Sequence, residues 1–228
     1  MTSSSMAAVG PSQRLKAKLH LIGGPLRTRL AAFWSDGRFR ELYPKLLREL
    51  FVVSRGGIPL MEAVRDEALR REDPASRLLA AYLHKHVAEE RGHCEWVLDD
   101  LAVLGFDRVE EARRPLTFHA SSLLGCAYTW SFEVHPAAIL GFLAVFEGDP
   151  MTVPFLEAVI ARQGLPKEAF GFYLDHARID PQHSADIHAL IDEVAMDPAL
   201  EEAITLCAMH ALHLTDGILR AIHDPAEA

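Results

Sequence analysis

Glu90 and His93 lie three residues apart in a segment whose hydrophobic residues recur at three- and four-residue steps. Because an α-helix turns by about 100° per residue, such a pair projects from successive turns within about 60° of one another. Glu-x-x-His pairs occur in carboxylate-bridged dinuclear iron and manganese bundles, where a carboxylate oxygen and an imidazole nitrogen bind one ion. The pair is common by chance, so it nominates a metal site without establishing one.

A more specific pattern follows in the last third of the chain. His176, Asp180 and His183 are spaced i, i+4, i+7, which places all three side chains within roughly 60° of one another on a helix. Two imidazoles and a carboxylate are nitrogen and oxygen donors that iron and manganese accept without a thiolate. This spacing therefore predicts a metal-binding face on one helix.

Glu147 ends the apolar run 139–146, and a carboxylate buried by such a run needs a cation or a hydrogen-bond donor. With it, the predicted ligands are three histidines and three carboxylates. They offer three negative charges to two ferrous ions, so a small positive excess remains for an oxygen-derived ligand or a substrate carboxylate. The predicted metal ligands are Glu90, His93, Glu147, His176, Asp180 and His183.

The elements that must position these ligands are predicted to be helices, because the segments between Gly and Pro breaks are long and rich in Ala, Leu, Glu and Arg. We expect a helix over 74–104, a kinked helical stretch over 116–147 and a helix over 167–195. Pro181 should kink and soften the last of these. The whole chain is predicted to be all-α, with a loose tail at 1–12 and one domain of about seven helices at 13–228.

Composition narrows the classes of function. The 228 residues include 32 acidic and 23 basic ones, for a formal charge of −9, which disfavours nucleic acid as a partner. The three cysteines are far apart and form no CxxC pair, so neither a disulfide framework nor a cysteine zinc site is expected. The sequence pattern predicts neither a signal peptide nor a membrane span. We therefore expect a cytoplasmic protein with a small-molecule substrate.

Four stretches of the sequence resemble one family over residues of about 40–220. They are 89–93 with 96–105, His135 to Gly141, Phe146-Glu147-Gly148, and 176–183. In this order and with these gaps, they resemble the haem-oxygenase-like diiron oxidase and oxygenase superfamily, the iron-containing redox enzymes. The resemblance implies a haem-oxygenase-like bundle in which the six residues named above bind the metal.

The same resemblance implies a non-haem diiron enzyme that binds two Fe(II) ions, or manganese, and uses dioxygen as a co-substrate. Its members oxidise amines, amino acids or fatty acids by N-oxygenation or oxidative carbon–carbon cleavage, and it implies a homodimer and allows an external electron donor. Many members separate the first glutamate and histidine by seven residues. Here the separation is three, as in the fatty-acid-decarboxylating branch, and His86 stands seven before His93. Glu89 and His86 are therefore reserve ligands.

Three other interpretations stay open from the sequence. A haem-binding or haem-degrading enzyme would use His20 as its iron ligand. A cofactor-free relative of the thiaminase or quinone-biosynthesis type would use Cys126 as its nucleophile. The third is a non-catalytic protein that holds metal for a partner. Glu133 is an alternative to Glu147, which we prefer for its Phe-Glu-Gly setting.

Overall fold

The computed structural model describes residues 9–223, and helices make up most of that range, with no β-strand in it. The α-helices are α1 (Pro11–Ile22), α2 (Gly24–Ser35), α3 (Phe39–Leu69), α4 (Pro74–Glu90), α5 (His93–Val103), α6 (Arg108–Ala112), α7 (Phe118–Thr129), α8 (Ile139–Phe146), α9 (Val153–Gln163), α10 (Gly171–Val194) and α11 (Pro198–His223). A π-helical turn (Trp130–Val134) and two 3₁₀ turns (Pro136–Ala138, Lys167–Phe170) complete the set. The all-α prediction is confirmed.

The predicted number of helices, about seven, is too low. The described residues form eleven α-helices, of which ten are at least eight residues long. The additional helix ends lie inside segments that were predicted as single helices, because the hydrophobic pattern continues across the short interruption between two helices. Because periodicity records which residues face the core, it does not register one or two residues that leave helical geometry.

The predicted tail at 1–12 falls largely on residues 1–8, which lie outside the described residues. Helix α1 begins at Pro11, before the predicted end of that tail. Ser12 is buried and donates both its backbone N–H and its hydroxyl to the carboxylate of Asp192, each over 2.8 Å. The start of α1 is thereby attached to α10.

The prediction of one continuous helix over 74–104 is wrong at Arg91 and Gly92. Helix α4 ends at Glu90 and α5 begins at His93, because Gly92 has a φ of 98°, in the left-handed region that residues with a Cβ adopt at a cost of about 1 kcal/mol. Glu90 is thus the last residue of one helix and His93 the first of the next. Their proximity results from this tight connection as well as from the three-residue spacing.

The segment over 116–147 is bent, as the sequence predicts. Helix α7 passes into the π-helical turn, the backbone is extended at His135 with φ −162°, and the 3₁₀ turn then leads into α8. Residues 139–144 of α8 are all buried. The bend therefore directs the apolar α8 into the core, and Glu147 follows directly at its C-terminal end.

Helix α10 continues through Pro181 from Gly171 to Val194. Asp180 and His183 therefore stay on one helical face, as their spacing requires. The softening of the helix by Pro181 stays a prediction, since the loss of one backbone donor is compatible with an unbroken helix.

Stacked aromatic rings connect α3 to the turn before α10. Tyr43 stacks on Phe170 with ring centroids 4.6 Å apart and on Phe39 at 4.9 Å. Its hydroxyl donates to the carbonyl of Ala169 over 3.0 Å. These contacts fix the turn that precedes α10.

Among the described helices, none combines the length and the apolar character needed to cross a membrane.

Candidate metal centre

Two groups of metal-binding side chains meet where α4, α5, α8 and α10 come together. In each group, the potential ligand atoms all lie within 4.8 Å of one another. The first group contains Glu90, His93 and His176, and the second contains His86, Glu90, Glu147 and His183. Glu90 belongs to both groups, so its carboxylate lies between them, as a bridging carboxylate does in a dinuclear site.

The first group is built around Oε2 of Glu90. This oxygen lies 2.9 Å from Nδ1 of His93 and 3.8 Å from Nε2 of His176. Nδ1 of His176 lies 3.0 Å from the carbonyl oxygen of Phe172, to which it can only donate. The proton is thereby assigned to Nδ1, and the lone pair of Nε2 is left for a cation.

Aromatic rings stack on the two imidazoles of the first group. Trp96 stacks on His93 with ring centroids 3.9 Å apart, and Phe172 stacks on His176 at 4.0 Å. Stacking at this distance removes one face of each imidazole from water and limits its rotation. The two rings are therefore oriented by the protein itself.

The second group is built around the carboxylate of Glu147. Its Oε1 lies 3.2 Å from Nε2 of His86, and its Oε2 lies 3.3 Å from Nδ1 of His183. The same Nδ1 of His183 lies 3.4 Å from Oε1 of Glu90. Both oxygens of Glu90 therefore have a histidine nearby, one in each group.

Asp180 belongs to neither group, although its side chain is buried beside them. Its Oδ1 lies 3.7 Å from Nδ1 of His183. Burial raises the pKa of Asp180 to about 7, with a further upward contribution from the nearby Glu147. A carboxylate placed here without a compensating cation is unfavourable, as expected for a group that a metal would stabilise.

Several buried polar atoms at this place have no hydrogen-bond partner. Five such atoms are Nδ1 of His86, Oε1 of Glu90, Oε2 of Glu147, Oδ1 of Asp180 and Nδ1 of His183. A buried polar group without a partner costs on the order of 1–3 kcal/mol. Because these atoms converge and are all nitrogen or oxygen donors, the residues fit bound cations such as iron.

Mutual charge also stabilises the ionised form of the shared carboxylate. Burial alone would raise the pKa of Glu90, but the neighbouring imidazoles of His176 and His93 outweigh burial and lower it below its usual value. For Glu147, burial likewise opposes the effect of the nearby His183 and His86 imidazoles, and the net pKa is lowered. Both carboxylates are thus negatively charged at neutral pH and available as ligands.

Five of the six predicted ligands belong to the two groups, Asp180 lies beside them, and His86, predicted only as a reserve ligand, joins the second group. His86 is 1% exposed and lies one helical turn before Glu90, so its four-residue spacing was the available signal. Glu89, the other reserve, lies at the edge of the site, with its side chain 40% exposed and 3.6 Å from Lys85. Glu133 is exposed and belongs to neither group.

A cavity of about 310 Å³ adjoins the two groups. Four of the predicted ligands line it, namely Glu90, Glu147, His176 and Asp180. Most of the remaining wall is apolar and comes from α2, α3, α8 and α11, with Leu30, Leu50 and Phe142 among its residues. The volume and character are typical of a small-molecule site.

The residues of two alternative interpretations do not line this cavity. His20 is exposed on α1, and Cys126 is buried on α7 beside Cys207. Neither contributes to the cavity wall. The positions of His20 and Cys126 therefore support neither the haem interpretation nor the cofactor-free interpretation.

Asp100 secures the helix that carries three of the candidate ligands. This residue of α5 is 2% exposed, and its two carboxylate oxygens accept the backbone N–H groups of Gly171 and Phe172 over 2.8 and 3.1 Å. These N–H groups start α10, whose N-terminal donors otherwise lack partners. A Cβ on Gly171 would lie 2.9 Å from Oδ1 of Asp100, so glycine permits this approach.

The buried Asp100 should make stability depend on pH. Burial raises its pKa to about 7, although the bonds from Phe172 and Gly171 act in the opposite direction. The unfolded chain releases this proton near pH 4. Stability present at acidic pH is therefore lost as the pH rises to about 7, by up to about 1.4 kcal/mol per pH unit.

Urea unfolding of the wild type and of Asp100→Asn at several pH values tests this expectation. The free energy of unfolding of the wild type should fall relative to that of Asp100→Asn between about pH 5 and 7. Asp99→Asn is the matched control, because the neighbouring carboxylate is 64% exposed. A wild type that gains stability relative to Asp100→Asn over this range would contradict the raised pKa.

Comparison with known proteins identifies the family and the fold of the chain. A family model described as "Iron-containing redox enzyme" matches residues 69–216, more than half of the chain. The fold is similar to a domain of unknown function with a haem-oxygenase-like fold from Shewanella denitrificans OS217, with a TM-score of 0.81 and 20% identity over 94% of this chain and 92% of that one.

A second similar structure is a TenA homolog from Pseudomonas syringae pv. tomato DC3000. Its TM-score is 0.59 at 10% identity, over 91% of this chain and 92% of that one. At these identities the likeness shows the fold alone. No curated protein matches the sequence. The chain has the haem-oxygenase-like fold and belongs to the family of iron-containing redox enzymes.

Proposed function

We propose that this protein is a non-haem diiron enzyme that activates dioxygen to oxidise or oxygenate a small organic substrate. The observation that carries the proposal is the position of Glu90, which belongs to two separate groups of donor atoms. One group would serve a single ion. Two groups that share a carboxylate are the arrangement expected for a dinuclear site in a helical bundle.

Each ion would be held by its own group. Glu90, His93 and His176 would hold the first, and His86, Glu90, Glu147 and His183 the second. Asp180 would act as a further carboxylate ligand from α10. The bound ferrous ions would supply the electrons and the open coordination positions needed for reaction with dioxygen. Manganese is the alternative ion for the same nitrogen and oxygen donors.

The chain's own residues orient the ligands and exclude water. The carbonyl of Phe172 fixes the His176 proton on Nδ1, and Trp96 covers one face of His93. Asp180 and Glu147 line the apolar cavity, so a substrate in it would lie beside the ions in surroundings of low polarity. Such surroundings strengthen electrostatic interactions and limit side reactions with water.

The substrate is proposed to be an amine, an amino acid or a fatty acid, and the reaction N-oxygenation or oxidative carbon–carbon cleavage. These classes come from the family resemblance, and the cavity supports a small organic compound. A homodimer and an external electron donor remain predictions from the same resemblance, and a cytoplasmic location remains a prediction from the sequence composition.

Oxygen uptake by the iron-loaded protein tests the proposal. The protein is loaded anaerobically with ferrous iron, mixed with oxygenated buffer in a stopped-flow spectrometer, and offered amines, amino acids and fatty acids in turn. We expect iron-dependent oxygen consumption, a transient visible absorbance, and an oxidised product of one substrate class by mass spectrometry.

Other outcomes would favour the alternatives. Iron binding without oxygen uptake under any substrate would contradict catalysis and favour a protein that holds metal for a partner. A stoichiometric Soret band on addition of haem, together with no binding of ferrous iron, would favour the haem interpretation. The zinc-loaded protein, whose ion has no redox chemistry, is the control that separates redox chemistry from simple metal binding.

A further inference from the structure

The cavity beside the metal centre has acidic and apolar walls. Apart from the candidate ligands, its ionisable residues include Glu49 of α3 and Asp149, which follows α8. Its lining, taken over the described residues, contains no lysine or arginine. An anionic group in this cavity would have no lysine or arginine to pair with, and most of its compensation would have to come from the metal ions.

Glu49 interrupts an otherwise apolar face of α3. Leu46, Leu50 and Val53 of the same helix line the cavity on either side of it. The Glu49 side chain is partly buried, and the adjacent Arg48 pairs with Glu111 over 2.7 Å. A carboxylate among leucines on a cavity wall costs free energy unless a ligand or a neighbour compensates it.

One neighbour compensates Glu49 in part. The hydroxyl of Thr117 donates to Oε2 of Glu49 over 2.6 Å, and the same hydroxyl oxygen accepts the backbone N–H of Ala120 at the start of α7. In the part of the chain that the structure describes, no basic side chain pairs with Glu49. Its charge is therefore available to a cationic ligand in the cavity.

We infer that the cavity binds an amphiphilic primary amine, with the ammonium group on Glu49 and the hydrocarbon chain along the apolar wall toward Asp180 and Glu147. An ammonium group supplies both the charge and the hydrogen-bond donors that Glu49 lacks. The apolar chain gains about 25 cal/mol for each Å² removed from water. As a substrate class this rests on the proposed function, because the amine chain then lies beside the oxidising centre.

Three probes with the same chain and different heads test the inference. Octylamine, 1-octanol and octanoic acid are titrated by calorimetry at neutral pH into the manganese-loaded protein under argon and into the metal-free protein. We expect octylamine to bind about tenfold more tightly than the other two in both forms, as one charge-assisted hydrogen bond predicts.

The variant Glu49→Gln measures what the negative charge of Glu49 contributes to amine binding. Its amide oxygen can still accept from Thr117, so the start of α7 is preserved. Octylamine should bind this variant about tenfold more weakly, while 1-octanol binds with unchanged affinity. Glu41→Gln is the matched control, since Glu41 is exposed on the same helix and lies outside the cavity wall.

Two results would overturn the inference. One is octanoic acid binding as tightly as octylamine in the metal-free protein. The other is octylamine binding that Glu49→Gln leaves unchanged, which would place the ammonium group on the ligand carboxylates instead. Because binding is measured without iron, a failure of the proposed function appears separately, as iron uptake below two ions per chain.

Discussion

Glu90→Gln is expected to bind less than one iron per chain and to lose activity by at least about a hundredfold. The physical reason is that Glu90 contributes to both donor groups, so both ions lose a ligand through one substitution. An amide keeps the size and one acceptor oxygen of the side chain but removes the charge. Iron content by inductively coupled plasma mass spectrometry and oxygen uptake measure the two effects.

Glu89→Gln is the matched control for this variant. Glu89 is the adjacent residue, with its side chain 40% exposed, and lies 3.7 Å from Nε2 of His183 at the edge of the site. We expect it to retain its iron and most of its activity. If Glu89→Gln lost both ions while Glu90→Gln kept them, the bridging role would belong to Glu89 and the proposed ligand set would be wrong.

His86→Ala is expected to bind about one iron per chain and to lose turnover. His86 belongs to the second group only, so the first group with His93 and His176 remains complete. Loss of one ligand out of three or four weakens the binding of that ion by about tenfold or more. A chain with one ion lacks the second source of electrons for dioxygen, so oxygen uptake should fall with the iron content.

His84→Ala controls for the loss of a histidine from the same helix, because His84 is exposed. It should keep two ions per chain. His93→Ala should also bind about one iron per chain, in this case through the second group. Full iron binding by His86→Ala would show that the six ligands predicted from the sequence are sufficient, and that His86 is a buried neighbour of Glu147.

Spacing on a helix was enough to predict most of the candidate ligands. His176 and His183 share a face of α10 because residues seven apart nearly coincide around a helix. Glu147 was predicted because a carboxylate after an apolar run must be compensated, and the structure places it 3.2 Å from His86. Local rules of this kind hold when the element is a regular helix.

The remaining features depend on contacts that spacing does not describe. The break at Gly92 involves one residue with positive φ, and the hydrophobic pattern continues across it. Asp100 lies in a stretch that supported the family resemblance, yet its bond to the start of α10 connects residues 71 positions apart. The charge of Glu49 in an apolar wall becomes visible only when α3 is packed against α7 and α11.

The assignment of His86 required the same tertiary information. A buried histidine on a core-facing stripe is usually satisfied by a hydrogen bond within the core. Only the approach of α8 and α10 shows that His86 lies beside Glu147 and His183, with its own Nδ1 unpartnered.

Anaerobic titration of the metal-free protein with ferrous iron tests the central claim most directly. The number of tightly bound ions per chain is measured after desalting, with the helical content followed by circular dichroism. Two donor groups that share Glu90 predict about two ions per chain in a fully folded protein. One ion per chain, or none, in a chain that retains its helices would contradict the dinuclear centre.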